Sequence, residues 1–249
     1  MVSTRNHPKN FPEPTLSPTK STQSKSVVRS STPTSSTSST SKKWTHTPSN
    51  LTLLWLAIAV PLVLWDAGYV FLRPHTMPGG FLHSPLWLPY VFYGSVDYVY
   101  GLPAFEQSDG FPAAQSALNL LETFLYVAYL AIVFRYGKVV SGRGRGAPKS
   151  RKAGWLGQPR VVSGQMAGAA VLIGYATAVM TLSKTVLYWL NEYYSGFKHI
   201  GHNDALTLII AWLIPNGAWL AFPSYMAYVF GREILQGLAV AAKTTGKQE

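Results

Sequence analysis

Four stretches of the chain run with few polar interruptions: Leu51 to Leu72, Ala113 to Phe134, Met166 to Leu190 and Leu206 to Phe230. Each has roughly 20 residues or more, and at 1.5 Å of rise per residue that length covers a hydrocarbon core of ~30 Å. A helix in a water-soluble bundle keeps a polar face, and these blocks have almost none. The pattern predicts an all-α membrane protein built as a four-transmembrane-helix bundle. Residues 1–48 break sharply from it. Ser, Thr, Pro and Lys dominate there, as in TPTSSTSSTSKK, and such a segment cannot bury enough apolar surface to offset its chain entropy. The expected organisation is a disordered tail over 1–48, a membrane domain over 49–235 and a C-terminal tail over 236–249.

The connection after the first block is itself apolar and aromatic, LHSPLWLPYVFYGSVDYVYG. Pro85, Pro89, Gly94 and Asp97 would leave backbone groups unpaired in lipid, so this stretch is expected to form an interfacial or re-entrant cap, not a fifth span.

Composition agrees, with 47% hydrophobic and only 12% charged residues. Zero cysteines exclude disulfides, cysteine-based zinc sites and thiol chemistry. The first apolar block starts about fifty residues in, without the short basic start and small-residue cleavage site of a signal peptide, so it is expected to remain as an anchor. The net charge of +11 is arranged for membrane orientation and not for nucleic acid. Seven Lys and Arg residues precede the first block and eight lie between the second and third. The other two connections carry Arg73 and Lys198 against Asp97, Glu106, Asp109, Glu192 and Asp204. The positive-inside rule then puts both termini and the middle loop in the cytosol and the other two loops in a lumen.

Ionisable side chains inside a span are costly and point to function. There are three. Asp66 lies about six residues before the end of the first block, Glu122 about nine after the start of the second, and Lys184 about six before the end of the third, all on the order of 10 Å below the lumenal surface. Helical spacing puts Leu62, Asp66 and Tyr69 on one stripe, and Glu122 with Leu118, Leu125, Tyr126 and Tyr129 on another. The fourth block adds Asn216 and Trp219, with Pro215 loosening the helix just before them. One reading is a buried ion pair between Lys184 and one carboxylate that fixes helix register, which leaves the second carboxylate to explain. In an apolar setting a carboxyl without a cationic partner favours its protonated form, the form needed to protonate an apolar molecule. His75, His83, His199 and His202 sit in the two lumenal loops without metal-site spacing and are expected to be capping or solvated groups. No metal or cofactor is expected.

The residues resemble the emopamil-binding protein family, also called the EXPERA domain family. VLYWLNEYYSGFKH followed by NGAWLAFPSYMAYV is similar to that family's aromatic helix end, GF(K/Q)H loop and N-x-x-W-x-x-P helix. LET around Glu122 and the LW-x-x-Y stretch leading to Asp97 and Tyr98 extend the likeness over roughly residues 51–232. The resemblance implies a four-helix bundle with a sterol cavity and, for the enzymes of the family, movement of a double bond from the 8 to the 7 position of the sterol nucleus. A proton is added at one carbon of the alkene, a carbocation forms, and a proton leaves another carbon. On this basis Asp66 and Glu122 are the expected catalytic acids. Asn216, Trp219, Lys184, Tyr126, Tyr188 and Tyr69 are the expected substrate-binding set. Three positions depart from the enzymes: Asp66 stands for a glutamate, Leu62 for a histidine, and Lys184 brings a cation into the layer. The alternatives are a non-catalytic sterol- or lipid-binding protein like the sigma-2 receptor branch, or an isomerase or cyclase for a terpenoid of a secondary pathway. The implied partners are a sterol or terpenoid and membrane lipids. The implied location is the endoplasmic reticulum membrane, and a homodimer is compatible with the sequence but not fixed by it.

Overall fold

The structure, a computed structural model, describes residues 44–140 and 159–245. Most of tail 1–48 and the bulk of the basic middle loop therefore lie outside the described residues. Four long helices form the body: α1 (Asn50–Phe71), α4 (Phe111–Tyr136), α5 (Gln165–Tyr194) and α7 (Ile214–Thr245). All four spans, the last counted from Ala205 to Ala242, are long and apolar enough to cross a membrane. α2 (Pro89–Val96) and α3 (Leu102–Glu106) lie in the α1–α4 connection, and α6 (Ala205–Thr207) leads into α7 through a π-helical turn, Leu208–Leu213. α1 packs on α4, α4 on α5 and α5 on α7.

Local chemistry sets the ends of these elements. The Ser49 hydroxyl accepts the Thr52 amide at 3.1 Å and caps α1. Pro112 occupies the first turn of α4, where its missing N–H costs nothing, and the Asp109 carboxylate accepts the Phe111 amide at 2.9 Å. In the fourth span Pro215 cannot donate to the carbonyl four residues back. The chain widens just before it into the π turn, where the Ile214 amide reaches the Ile209 carbonyl.

Polarity along the helices is inverted relative to a soluble bundle. α4 buries Ser116, Glu122, Thr123, Tyr126 and Tyr129, while Leu118, Leu121, Phe124 and Val127 are exposed. α5 likewise buries Thr177, Thr181, Thr185 and Tyr188 and turns Leu172, Val179 and Leu187 outward. An apolar outside around a hydrogen-bonded inside is the arrangement lipid requires.

Two features differ from the sequence reading. Residues 44–48 are packed, not tail: β1 (Thr45–His46) pairs antiparallel with β3 (Arg160–Ser163), which also pairs with β2 (Lys138–Val139). The physical reason is His46, buried with its Nδ1 2.6 Å from Glu233 Oε2 and its Nε2 3.0 Å from the Tyr129 hydroxyl. The all-α body thus carries a small three-stranded sheet at the end opposite the cap. The fourth helix also continues past Phe230 to Thr245, through residues assigned to the C-terminal tail.

Candidate functional site

Beneath α2, and between α1, α4, α5 and α7, lies a cavity of about 400 Å³. Asp66 borders it from α1. The Tyr90 hydroxyl of α2 donates a hydrogen bond to Asp66 Oδ1, and the Tyr90 ring stacks on Tyr69 with centroids 3.6 Å apart. Tyr69 in turn donates to the Tyr100 carbonyl at 3.0 Å. Two indole bonds fasten the same stretch of α1 to the loop before α2, from Trp65 Nε1 to the Leu86 carbonyl at 3.0 Å and from Trp87 Nε1 to the Trp65 carbonyl at 3.1 Å. The carboxyl of Asp66 is therefore held by a preorganised aromatic wall.

Where α4 and α5 line it, the cavity is polar at Gln115, Asn119 and Lys184. Lys184 Nζ donates to Glu122 Oε2 at 2.9 Å and to Asn119 Oδ1. The Thr181 hydroxyl lies 2.9 Å from the same Glu122 oxygen and 3.2 Å from the Tyr126 hydroxyl. Glu122 itself does not line the cavity. It borders a narrow void of about 10 Å³ together with Tyr126, Trp55 and Thr123. Val63, Asn119 and Trp219 line both spaces and form the partition between them. A void of that size holds about one water at most.

The expected site residues therefore separate. Asp66, Lys184, Tyr188, Asn216 and Trp219 border one cavity. Glu122 and Tyr126 lie behind its wall, and Tyr69 supports Tyr90 from beneath without lining it. Asn216 gives its side-chain N–H to the Trp212 carbonyl at 2.9 Å, which satisfies an acceptor beside the π turn. Trp219 meets Trp55 edge to face at 4.9 Å. Leu62, one turn before Asp66, is on the cavity wall.

Sequence reasoning missed Asp97. It counted as a loop charge, yet it is fully buried and accepts from the Tyr188 hydroxyl, from Trp212 Nε1 at 3.0 Å and from the Val99 amide at 3.0 Å. Burial pushes its carboxyl up to about 6, against the pull of those donors. Burial also holds Tyr90, Tyr93 and Tyr100 above the ordinary phenol range, so all three remain hydroxyl donors at any physiological pH. Gln115 and Asn119 were also missed, although their spacing with Glu122 marks a polar stripe on an otherwise apolar helix.

The histidines of the loops act as ties. His199 Nδ1 lies 2.6 Å from Glu192 Oε1, His202 Nε2 reaches the Ser95 carbonyl at 2.7 Å, and His83 Nδ1 reaches the Thr76 carbonyl at 2.8 Å. Among the described residues no three His, Cys, Asp or Glu side chains converge as metal ligands do. Compared with protein-family models, with curated proteins and with solved structures, the chain matches none.

Proposed function

We propose that the protein is a membrane isomerase that shifts a double bond in a sterol or related polycyclic terpenoid, of the emopamil-binding protein type, with Asp66 as the proton-transferring group. The observation that carries this reading is the Asp66–Tyr90 pair on the wall of a cavity whose apolar lining includes Leu62, Trp65, Phe92, Phe111, Pro215 and Trp219. Its volume falls within the roughly 300–1,000 Å³ of small-molecule sites. Leu62 and Phe92 on its wall are 41% and 59% exposed, and these apolar side chains suit the passage of a membrane-dissolved substrate. In its protonated form Asp66 delivers a proton to the substrate. In its ionised form it takes one back, with the Tyr90 hydroxyl donating to it throughout. The substrate exchanges one C–H proton for another and the double bond moves, with no net oxidation and no co-reactant.

Glu122 has a different part in this scheme. Bound to Lys184, it neutralises the ammonium and keeps that side chain at the cavity edge. The same pairing, together with Leu62 in place of a histidine, favours a second reading in which the cavity binds a sterol without transforming it.

Microsomes carrying the chain, incubated with an 8-unsaturated sterol in heavy water, test the two readings. Isomerase activity gives deuterium at a ring carbon, and Asp66→Asn lowers it by about 10²-fold or more. Saturable sterol binding with no deuterium uptake into this or any other unsaturated sterol or terpenoid probe overturns the isomerase in favour of the binder. Uptake that survives Asp66→Asn removes Asp66 from the mechanism.

A further inference from the structure

An ammonium on the wall of a proton-transfer cavity suits some intermediates and opposes others. Lysine has three N–H donors. Two of those on Lys184 are engaged by Glu122 and Asn119, and the third has no protein partner among the described residues. Lys184 borders the cavity while its counter-ion sits behind the partition, so the cavity meets the positive end of the pair. Such a wall destabilises a carbocation and stabilises a developing negative charge on oxygen. The same cavity is lined by a carboxyl backed by a tyrosine hydroxyl. A general base and an oxyanion donor on the wall of one cavity are the combination that moves a proton next to a carbonyl group.

We infer that the substrate carries a carbonyl oxygen held by Lys184, and that the double bond moves from the β,γ to the α,β position of this ketone through a dienolate. The inference rests on the isomerase reading and names its substrate class. Ionised Asp66 takes the proton from the carbon between the carbonyl and the alkene. The C–H electron pair enters the conjugated system, and the negative charge falls on the oxygen bound to Lys184 Nζ. Protonated Asp66 then returns the proton to the γ carbon, the conjugated ketone is released, and atoms and electrons balance without any other reactant. Lys184 would bind the reacting group directly, and Asn119 and Glu122 position it.

The test uses the full chain in microsomes with three probes: androst-5-ene-3,17-dione as the β,γ-unsaturated ketone, its 3β-hydroxy counterpart, and an 8-unsaturated sterol lacking a ketone. Conversion of the dione is followed by the ultraviolet absorbance of the conjugated product, binding by competition, and proton exchange by deuterium uptake. The expected result is conversion of the dione alone. Lys184→Met combined with Glu122→Gln, which removes both charges together, weakens dione binding by about tenfold or more and leaves binding of the 8-unsaturated sterol unchanged. Lys184→Arg, which preserves the charge, retains part of the affinity and reports whether the bundle tolerates change at this position. If the 8-unsaturated sterol takes up deuterium while the dione is left unconverted, the carbonyl assignment is overturned and the isomerase reading stands. Equal loss of dione and sterol binding in the double variant also overturns it. No exchange and no conversion with any of the probes overturns both.

Discussion

Asp97 collects donors from three directions: the Tyr188 hydroxyl of α5, the Trp212 indole of the π turn and the Val99 amide of the cap. An indole N–H can only donate, so an acceptor must face it. Asp97→Asn keeps the size of the side chain but sets an NH₂ against one of these donors, and about 1–3 kcal/mol of stability should be lost. Thermal unfolding in detergent micelles measures it, and an unchanged midpoint would show that the three bonds do not hold the cap. The same residue gives a pH signature. Its carboxyl rises from 3.8 to about 6 on burial, so the folded protein keeps a proton that the unfolded chain releases over that window. Stability contributed by this group is therefore present below about pH 4 and falls as the pH rises to about 6, by on the order of 3 kcal/mol, then stays flat. The difference in pH slope between the natural chain and Asp97→Asn isolates this contribution from those of other groups.

Between elements, α5 and α7 make the most extensive contact in the bundle. Ala167, Ala170, Gly174 and Ala178 are buried on α5, and a Cβ at Gly174 would stand 2.8 Å from the Phe230 ring. Small residues at such a contact let two helices pack by van der Waals attraction where no hydrophobic effect operates between them. Gly174→Val should push the helices apart at about 1–3 kcal/mol, and Phe230→Leu in the same chain should recover part of the loss. Failure of the second change to rescue the first would place the strain elsewhere. The sequence made the spans legible because hydropathy is a local property of about 20 residues. It also put Asp66, Glu122 and Lys184 at one depth with Asn216 and Trp219 beside them, and all of these but Glu122 line one cavity. What it could not show is which carboxylate Lys184 takes. That depends on the partition formed by Val63, Asn119 and Trp219, contributed by three different helices. Asp97 was hidden for a related reason, since Tyr188 and Trp212 lie 91 and 115 residues away in sequence.

Across the whole molecule, buried polar clusters occupy both ends of a bundle whose outer surface is apolar. At the cap end, Asp66 and Lys184 line a cavity, Glu122 lies behind its wall, and Asp97 is bonded to Tyr188, which lines it. At the far end, His46, Glu233 and Tyr129 are nearly inaccessible and bonded to one another, which closes the structure there. With the imidazole proton on Nδ1 directed to Glu233, Nε2 accepts from Tyr129, and this one histidine joins β1, α4 and α7. Phe230 completes its surroundings, with its ring centroid 5.8 Å from that of His46. His46→Ala would leave a carboxyl and a phenol buried without their shared partner, and breaking a buried pair from one side costs about 3–5 kcal/mol. Removing both ends, in His46→Phe with Glu233→Met, takes away the buried charge along with its need for a partner and should cost less than His46→Ala alone. The comparison needs thermal midpoints together with limited proteolysis near Trp44, because loss of the clasp should expose that segment before the spans unfold. If His46→Ala melts like the natural chain and its β1 stays protected, the sheet and not the histidine holds this end closed.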